Sequence, residues 1–209
     1  NRITDADYQP AIDEGMKRRL AQSEQIANNP APPPFENTIV AMEKSGELLD
    51  RVENVFEAVN QANTNDTLQK IDETEAPKLA ANHDAIFLNP KLFARVKAIY
   101  DQRDALNLDT EAHKLVEVYY QDFIHAGANL PDADKTRLME ITKQRATLET
   151  AFNNKRLAGT KAGSLVVDDK AKLAGLSDGA TAAAAQDADN RGLKGNWVLP
   201  LQNTTQQPE

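Results

Sequence analysis

The chain has 209 residues, no cysteine and a formal net charge of -8, with a pI near 5.0. That length supports one sizeable hydrophobic core, or a core with an appendage, and the acidic balance argues against an electrostatic grip on nucleic acid or an anionic membrane. The missing cysteines exclude disulfides and thiolate metal sites but leave the compartment open, and no apolar run approaches the roughly 20 residues of a membrane span.

Thr4 or Asp5 is suited to cap a first helix, with Pro10 in its early turns, so that regular helix is expected to begin only there. Ile12, Met16, Leu20 and Ala27 give this helix an apolar stripe. Asn28 and the run Pro30–Pro34 must end it, because proline cannot continue a helix and restricts the residue before it. The run reads as a stiff linker within a domain. Asn37 or Thr38 caps a second helix, in which Met42, Leu48, Leu49, Val52, Val55, Phe56 and Val59 recur at steps of three and four, expected on one face for roughly five turns. After Asn63–Asn65 a third helix carries Leu68, Ile71, Leu79 and Ile86. Pro77 inside it is expected to kink or split it near Glu73.

Asn89 and Pro90 open a fourth helix, with Leu92, Phe93, Val96, Ile99 and Tyr100. Asp109 caps a fifth, with Leu115, Val118, Tyr119 and Phe123, and Gly127 suits its C-terminal cap. Pro131 starts a long sixth helix whose Leu138, Ile141, Leu148 and Phe152 are expected to point inward. Near Gly159 the composition changes. Leu165–Val167 reads as a strand, Ser177 caps an Ala-rich helix running to about Gly192, and 196–201 is a second strand candidate that pairs with the first. Pro200 restricts it to an edge or a bulge. The expectation is a mainly α chain: a helical domain of about six helices at 1–160, then a strand–helix–strand segment at 161–209.

Few residues invite chemistry. His83, His113 and His125 include no pair three or four apart, and the twelve residues between the last two correspond to about 18 Å of helix rise, too far for one metal. The acids Asp72, Glu73 and Glu75, Asp132 and Asp134, Asp168 and Asp169, and Asp187 and Asp189 are expected at helix ends and turns, solvated. Asp187–Gly192 superficially resembles a calcium loop but lacks the ligand spacing and the closing glutamate. Lys17–Arg19 reads as a solvated helix face rather than a phosphate site. No glycine-rich phosphate loop and no nucleophile-elbow motif occurs. Trp197 is the aromatic least expected to be buried.

Nine stretches, in this order, carry a resemblance to a known family: Tyr8–Met16, Phe35–Ile39, Ser45–Leu49, Leu92–Val96, Leu115–Val118, Ala126–Leu130, Leu165–Val167, Leu173–Leu176 and Asn203–Pro208. Together they resemble the N-terminal part of the M3 zinc metallopeptidases, within that family most nearly the bacterial peptidyl-dipeptidases. The resemblance implies a largely helical molecule with two lobes around a deep channel. One lobe binds zinc through a His-Glu-x-x-His motif, and the N-terminal helices wall the channel and restrict it to short peptides, from which dipeptides are released at the C-terminus. This sequence contains no His-Glu-x-x-His. The resemblance therefore transfers no catalytic, cofactor-binding or metal residue. It places zinc in a parent enzyme and makes the chain's partners its own C-terminal catalytic domain and short peptides, with neither nucleic acid nor membrane. Cytoplasm and periplasm both stay open, since the chain shows no signal peptide. Both ends read as cut points in a longer polypeptide. The alternative expectation is a free-standing helical interaction module without peptidase activity.

Overall fold

The computed structural model describes residues 3–201. Helix predominates: α1 Asp5–Ala27, a π-helical turn Glu36–Val40 running into the short α2 Ala41–Glu43, α3 Glu47–Asn63, α4 Asp66–Phe87, α5 Pro90–Asp101, α6 Thr110–His125, α7 Asp132–Ala162 and α8 Asp178–Asn190. Two short strands, β1 Leu165–Val167 and β2 Trp197–Leu199, pair antiparallel with Val166 opposite Val198. The mainly α expectation with a small β element near the C-terminus holds. The chain forms two compact units that divide between Thr150 and Ala151, within α7.

In the first unit, Thr4 closes the start of α1: the Asp7 carboxylate accepts from the Thr4 backbone N–H and from its hydroxyl, each at 2.8 Å. Helix therefore begins at Asp5, ahead of Pro10 and not at it. A proline so near the N-terminus removes only one early hydrogen bond, and the cap compensates. The second expected helix is two. Gly46 adopts φ 83°, a left-handed conformation that a Cβ resists, and it separates α2 from α3. Met42 thus belongs to a different element from the stripe of α3, in which Leu49 and Phe56 are buried while Val55 turns to solvent. α4 is continuous through Pro77, so the expected split near Glu73 does not occur. Packing against α1 outweighs the one hydrogen bond lost at the proline.

Asn37 and Thr38, expected to cap the second helix, lie inside the π-helical turn and accept from Arg95 instead, whereas the later joints match the residue chemistry. The Asn65 side chain accepts from the backbone N–H of Leu68, Asn89 from those of Lys91 and Leu92, and Asp109 from that of Ala112. α6 ends in a Schellman motif in which Ala128 N–H donates to Phe123 O at 2.9 Å and Gly127 N–H to Ile124 O at 3.0 Å.

Two apolar clusters hold this unit. Tyr8, Ile12, Met16, Leu49, Phe56, Leu68 and Ile71 join α1, α3 and α4. Gly15 lets α1 and α3 cross closely: a Cβ there would lie 2.9 Å from Leu49 Cα. The other cluster gathers Ile26, Ile39, Leu92, Val96, Ile99, Val116 and Phe123 from α1, the π-helical turn, α5 and α6. Phe123 lies against Phe87 and Phe93, with ring centroids 4.9 and 5.9 Å away.

The second unit pairs β1 with β2 and lays α8 on β2 through the small side chains Ala184 and Ala188, burying Val198 completely. The Ser177 hydroxyl accepts from Ala180 N–H at 3.1 Å and caps α8 as expected. Pro200 follows β2 and does not interrupt it, and Trp197 is half-buried.

The expectation for α7 fails. Ile141, Leu148 and Phe152 are 46%, 68% and 66% exposed, and Thr150 is the one buried residue of this helix. Only Leu138 of the expected inward set is half-buried. Within the first unit the helix instead turns inward the ridge Leu138, Thr142 and Ala146, spaced by four residues, and the Thr142 hydroxyl donates to the buried carboxylate of Asp84 on α4. A buried carboxylate requires a donor. Thr142 supplies one, and the apolar stripe is rotated into solvent.

Candidate functional site

The three histidines stay apart. His83 stacks on Phe87, with centroids 4.4 Å apart, and lies 3.8 Å from Asp84. His113 meets Asp104 at 2.9 Å and Glu117 at 3.7 Å, while His125 ends α6. Among the described residues no group of three potential metal ligands converges. Lys17 and Arg18 are exposed beside Glu14, as expected. Arg19, at 30% side-chain exposure, turns toward Asp50 at 3.5 Å. Asp187 and Asp189 belong to α8, whose end is a Schellman turn at Gly192, so no metal-type loop forms there.

The acids Asp72, Glu73 and Glu75 do not sit at a helix end. They lie mid-helix in α4, and Glu75 is only 1% exposed. Its Oε1 accepts from Gln9 Nε2 and Lys78 Nζ, both at 2.9 Å, and Lys78 also reaches Asp13 at 3.0 Å. This ladder clasps α1 to α4. Glu75 Oε2 has no hydrogen-bond partner among the described residues, and at 1% exposure the carboxylate is closed off from solvent. Periodicity could not reveal it: the acid occupies a buried position because lysine and glutamine from the interface edge reach it.

Half-burial pushes the Asp72 carboxyl above its ordinary range, with Glu57 on α3 and the neighbouring Glu73 adding to the effect. A raised folded-state pKa means that the ionised acid destabilises the fold above that pKa. The penalty disappears as pH falls through it toward the unfolded value. Asp72→Asn is therefore expected to stabilise the chain at pH 7, by no more than about 0.5 kcal/mol given its solvent screening. The gain should vanish near pH 3. Urea unfolding at both pH values measures it, and an equal gain at both would contradict this cause.

Arg95 is a group that stripe reading missed. It is 8% exposed and makes four hydrogen bonds: Nη1 to the carbonyls of Asn29 at 2.9 Å and Ala31 at 3.0 Å, Nη2 to Asn37 Oδ1 at 2.8 Å, and Nε to Thr38 Oγ1 at 3.3 Å. Burial lowers its pKa. Arg95 thus fixes the proline linker between α1 and the π-helical turn. Beside it opens a cleft of about 400 Å³ that includes Gln22, Gln25, Asn29, Asn37, Lys44 and Ser45. Several of these amides are already engaged: Gln22 accepts from Gly46 N–H, and Asn37 holds Arg95 and Pro32. The cleft contains no nucleophile–base pair. Across α6 and α2, Tyr119 donates to Glu43, and burial with that carboxylate raises its pKa well above the phenolic range. The phenol stays protonated and serves as a strut.

No family model matches the chain. Over its full length it is 49% identical to the dipeptidyl carboxypeptidases of Escherichia coli (strain K12) and Salmonella typhimurium, covering 30% and 31% of those proteins. The chain is homologous to the N-terminal region of dipeptidyl carboxypeptidases. A more distant match, oligopeptidase A of Escherichia coli (strain K12), is 24% identical over 192 residues, which cover 92% of this chain and 28% of that protein. The chain thus spans under a third of the curated relatives it matches.

Most of the stretches that carry the resemblance seen in the sequence fall on joints of the fold. Tyr8–Met16 is the face of α1 that meets α3 and α4, and Ser45–Leu49 holds the Gly46 turn and buried Leu49. Phe35–Ile39 supplies Asn37 and Thr38 to Arg95, which itself lies in Leu92–Val96. Ala126–Leu130 is the cap of α6. Asn203–Pro208 lies outside the described residues.

Proposed function

We propose that this chain is the non-catalytic N-terminal part of a zinc-dependent peptidyl-dipeptidase. In this reading it forms a wall of the substrate channel that admits only short peptides, and the parent enzyme releases dipeptides from their C-termini. The observation that carries the reading is 49% identity over the entire chain to dipeptidyl carboxypeptidases, of which it covers under a third. The residues present do not fit a zinc site: the histidines are dispersed, and no cluster of three donors converges among the described residues. Zinc and the general base belong, on this proposal, to the remainder of the parent. The chain's own contribution is shape: a rigid helical unit clasped by Arg95, Glu75 and two apolar clusters. No helix among the described residues is long and apolar enough to cross a membrane.

Residues 1–209 alone, incubated with an N-blocked tetrapeptide and added zinc, are expected to release no dipeptide. The longer polypeptide from the same gene should do so, and a chelator should stop it. A peptide inhibitor carrying a photoreactive side chain should cross-link to residues 1–209 within that polypeptide. Hydrolysis by the 209 residues alone would overturn the non-catalytic assignment, and cross-links confined to the remainder would overturn the wall.

A further inference from the structure

The cleft of about 400 Å³ beside Arg95 is built entirely from the first unit: the last turns of α1, the π-helical turn, and α2 with the turn after it. Backbone donors fix which way two of its amides lie. A backbone N–H can only donate, so the amide oxygen must be the atom that meets it. Gln22 Oε1 accepts from Gly46 N–H and Asn29 Oδ1 from Ala31 N–H, both at 2.9 Å. That leaves Gln22 Nε2 and Asn29 Nδ2 as donors without a partner among the described residues. Lys44 also forms no hydrogen bond or ion pair among them, and no carboxylate lines the cleft. In a chain of net charge -8 this is a local surplus of donors with one positive charge.

Other parts of the lining narrow the ligand. The Ser45 hydroxyl donates its one proton to Met42 O at 2.7 Å, so toward a ligand its oxygen can only accept. The Gln25 amide is unengaged among the described residues and can both donate and accept. Ile26 and Ala41 supply apolar surface. The walls are held before any ligand arrives: Arg95 Nη1 donates to the Asn29 carbonyl at one wall, and Nη2 to the Asn37 side chain at the other. Walls fixed in advance lower the entropic cost of binding.

We propose that this cleft binds the C-terminus of a short peptide. The donors Gln22 Nε2, Asn29 Nδ2 and the Lys44 ammonium take the carboxylate. The last peptide N–H donates to Ser45 Oγ or Gln25 Oε1, and an apolar side chain lies on Ile26 and Ala41. The volume falls within the roughly 300–1,000 Å³ of small-molecule sites. Inorganic phosphate would satisfy the donors but has nothing to set on the apolar surface. With no nucleophile–base pair in the cleft, the peptide is held and not cleaved. The proposal goes beyond the wall assigned above, and it rests on residues 1–209 alone, not on the activity of the parent.

The test titrates N-acetyl-alanyl-leucine into isotope-labelled residues 1–209 and follows amide correlation spectra. The side-chain amide signals of Gln22, Gln25 and Asn29 and the backbone signals of Lys44 and Gly46 are expected to shift together and saturate, with half-saturation at about 1 mM, as for a small ligand held by a few charge-assisted bonds. The C-terminal amide of the same dipeptide should bind at least about tenfold more weakly. Lys44→Glu changes an exposed side chain, should leave the far-ultraviolet spectrum unchanged, and should weaken binding of the acid by a similar factor. No saturable shift at about 20 mM ligand would overturn the proposal. Equal affinity for the dipeptide amide would show that no carboxylate is read, and would overturn it too. Inorganic phosphate binding as tightly as the acetylated dipeptide would show an anion site without peptide recognition, with the same consequence. Dipeptide release by the longer polypeptide is measured separately: its failure would refute the proposed function and leave the titration readable by itself.

Discussion

Replacing Arg95 with alanine is expected to destabilise the first unit by about 3 kcal/mol, a large share of the roughly 5–15 kcal/mol that holds a domain of this kind. The loss has two parts. Hydrogen bonds from a charged donor are worth about 1.5–3 kcal/mol each, with incomplete additivity. The acceptors left behind are the carbonyls of Asn29 and Ala31, Asn37 Oδ1 and Thr38 Oγ1, and burial denies at least Thr38 easy access to replacement water. Arg95→Lys should recover less than half of the loss, because an ammonium lacks the planar fork that reaches both the linker and the π-helical turn. The measurement is urea unfolding followed by near-ultraviolet circular dichroism of tyrosine. All four tyrosines precede the division at Thr150, and the single tryptophan follows it. A loss below about 1 kcal/mol would mean that Arg95 is not what fixes the linker.

Phe123→Ala is expected to cost about 3–5 kcal/mol by the same measurement, since a fully buried ring leaves a cavity in addition to the lost transfer energy. Phe123 touches the rings of both Phe87 and Phe93, so it ties α6 to the end of α4 and to α5. Phe123→Leu should cost well under half as much, because most of the volume is retained. By contrast Phe152→Ala, with the ring 66% exposed on α7 in the second unit, should change the stability of that unit, followed by near-ultraviolet circular dichroism of Trp197, by under about 0.5 kcal/mol. The contrast between two phenylalanines that read alike in the sequence is the sharpest check on the structure. A cost at Phe152 near that at Phe123 would show α7 packed inward after all.

Much of the architecture was legible because it depends on local chemistry. The caps Asn89, Asp109 and Ser177 each satisfy backbone donors within a few residues, so the side chain that starts a helix is visible in a short window. The proline run ends α1, and the two short β-branched stretches pair as expected, for equally local reasons.

What only the tertiary structure decided was which of several acceptable faces is buried, and which polar residues go in with it. Gly46 falls inside the stretch expected as one second helix, yet it takes a left-handed conformation that lets α3 restart and cross α1 closely at Gly15. Glu75, Asp84 and Arg95 look like ordinary surface charges until residues 66, 58 and up to 66 positions away supply their partners. The same long-range partner turned α7: a hydroxyl was needed over Asp84, so Thr142 faces inward and the apolar row of Ile141, Leu148 and Phe152 faces out. Helical periodicity states that a stripe exists. Which way it points is settled by the polar groups that cannot be buried alone.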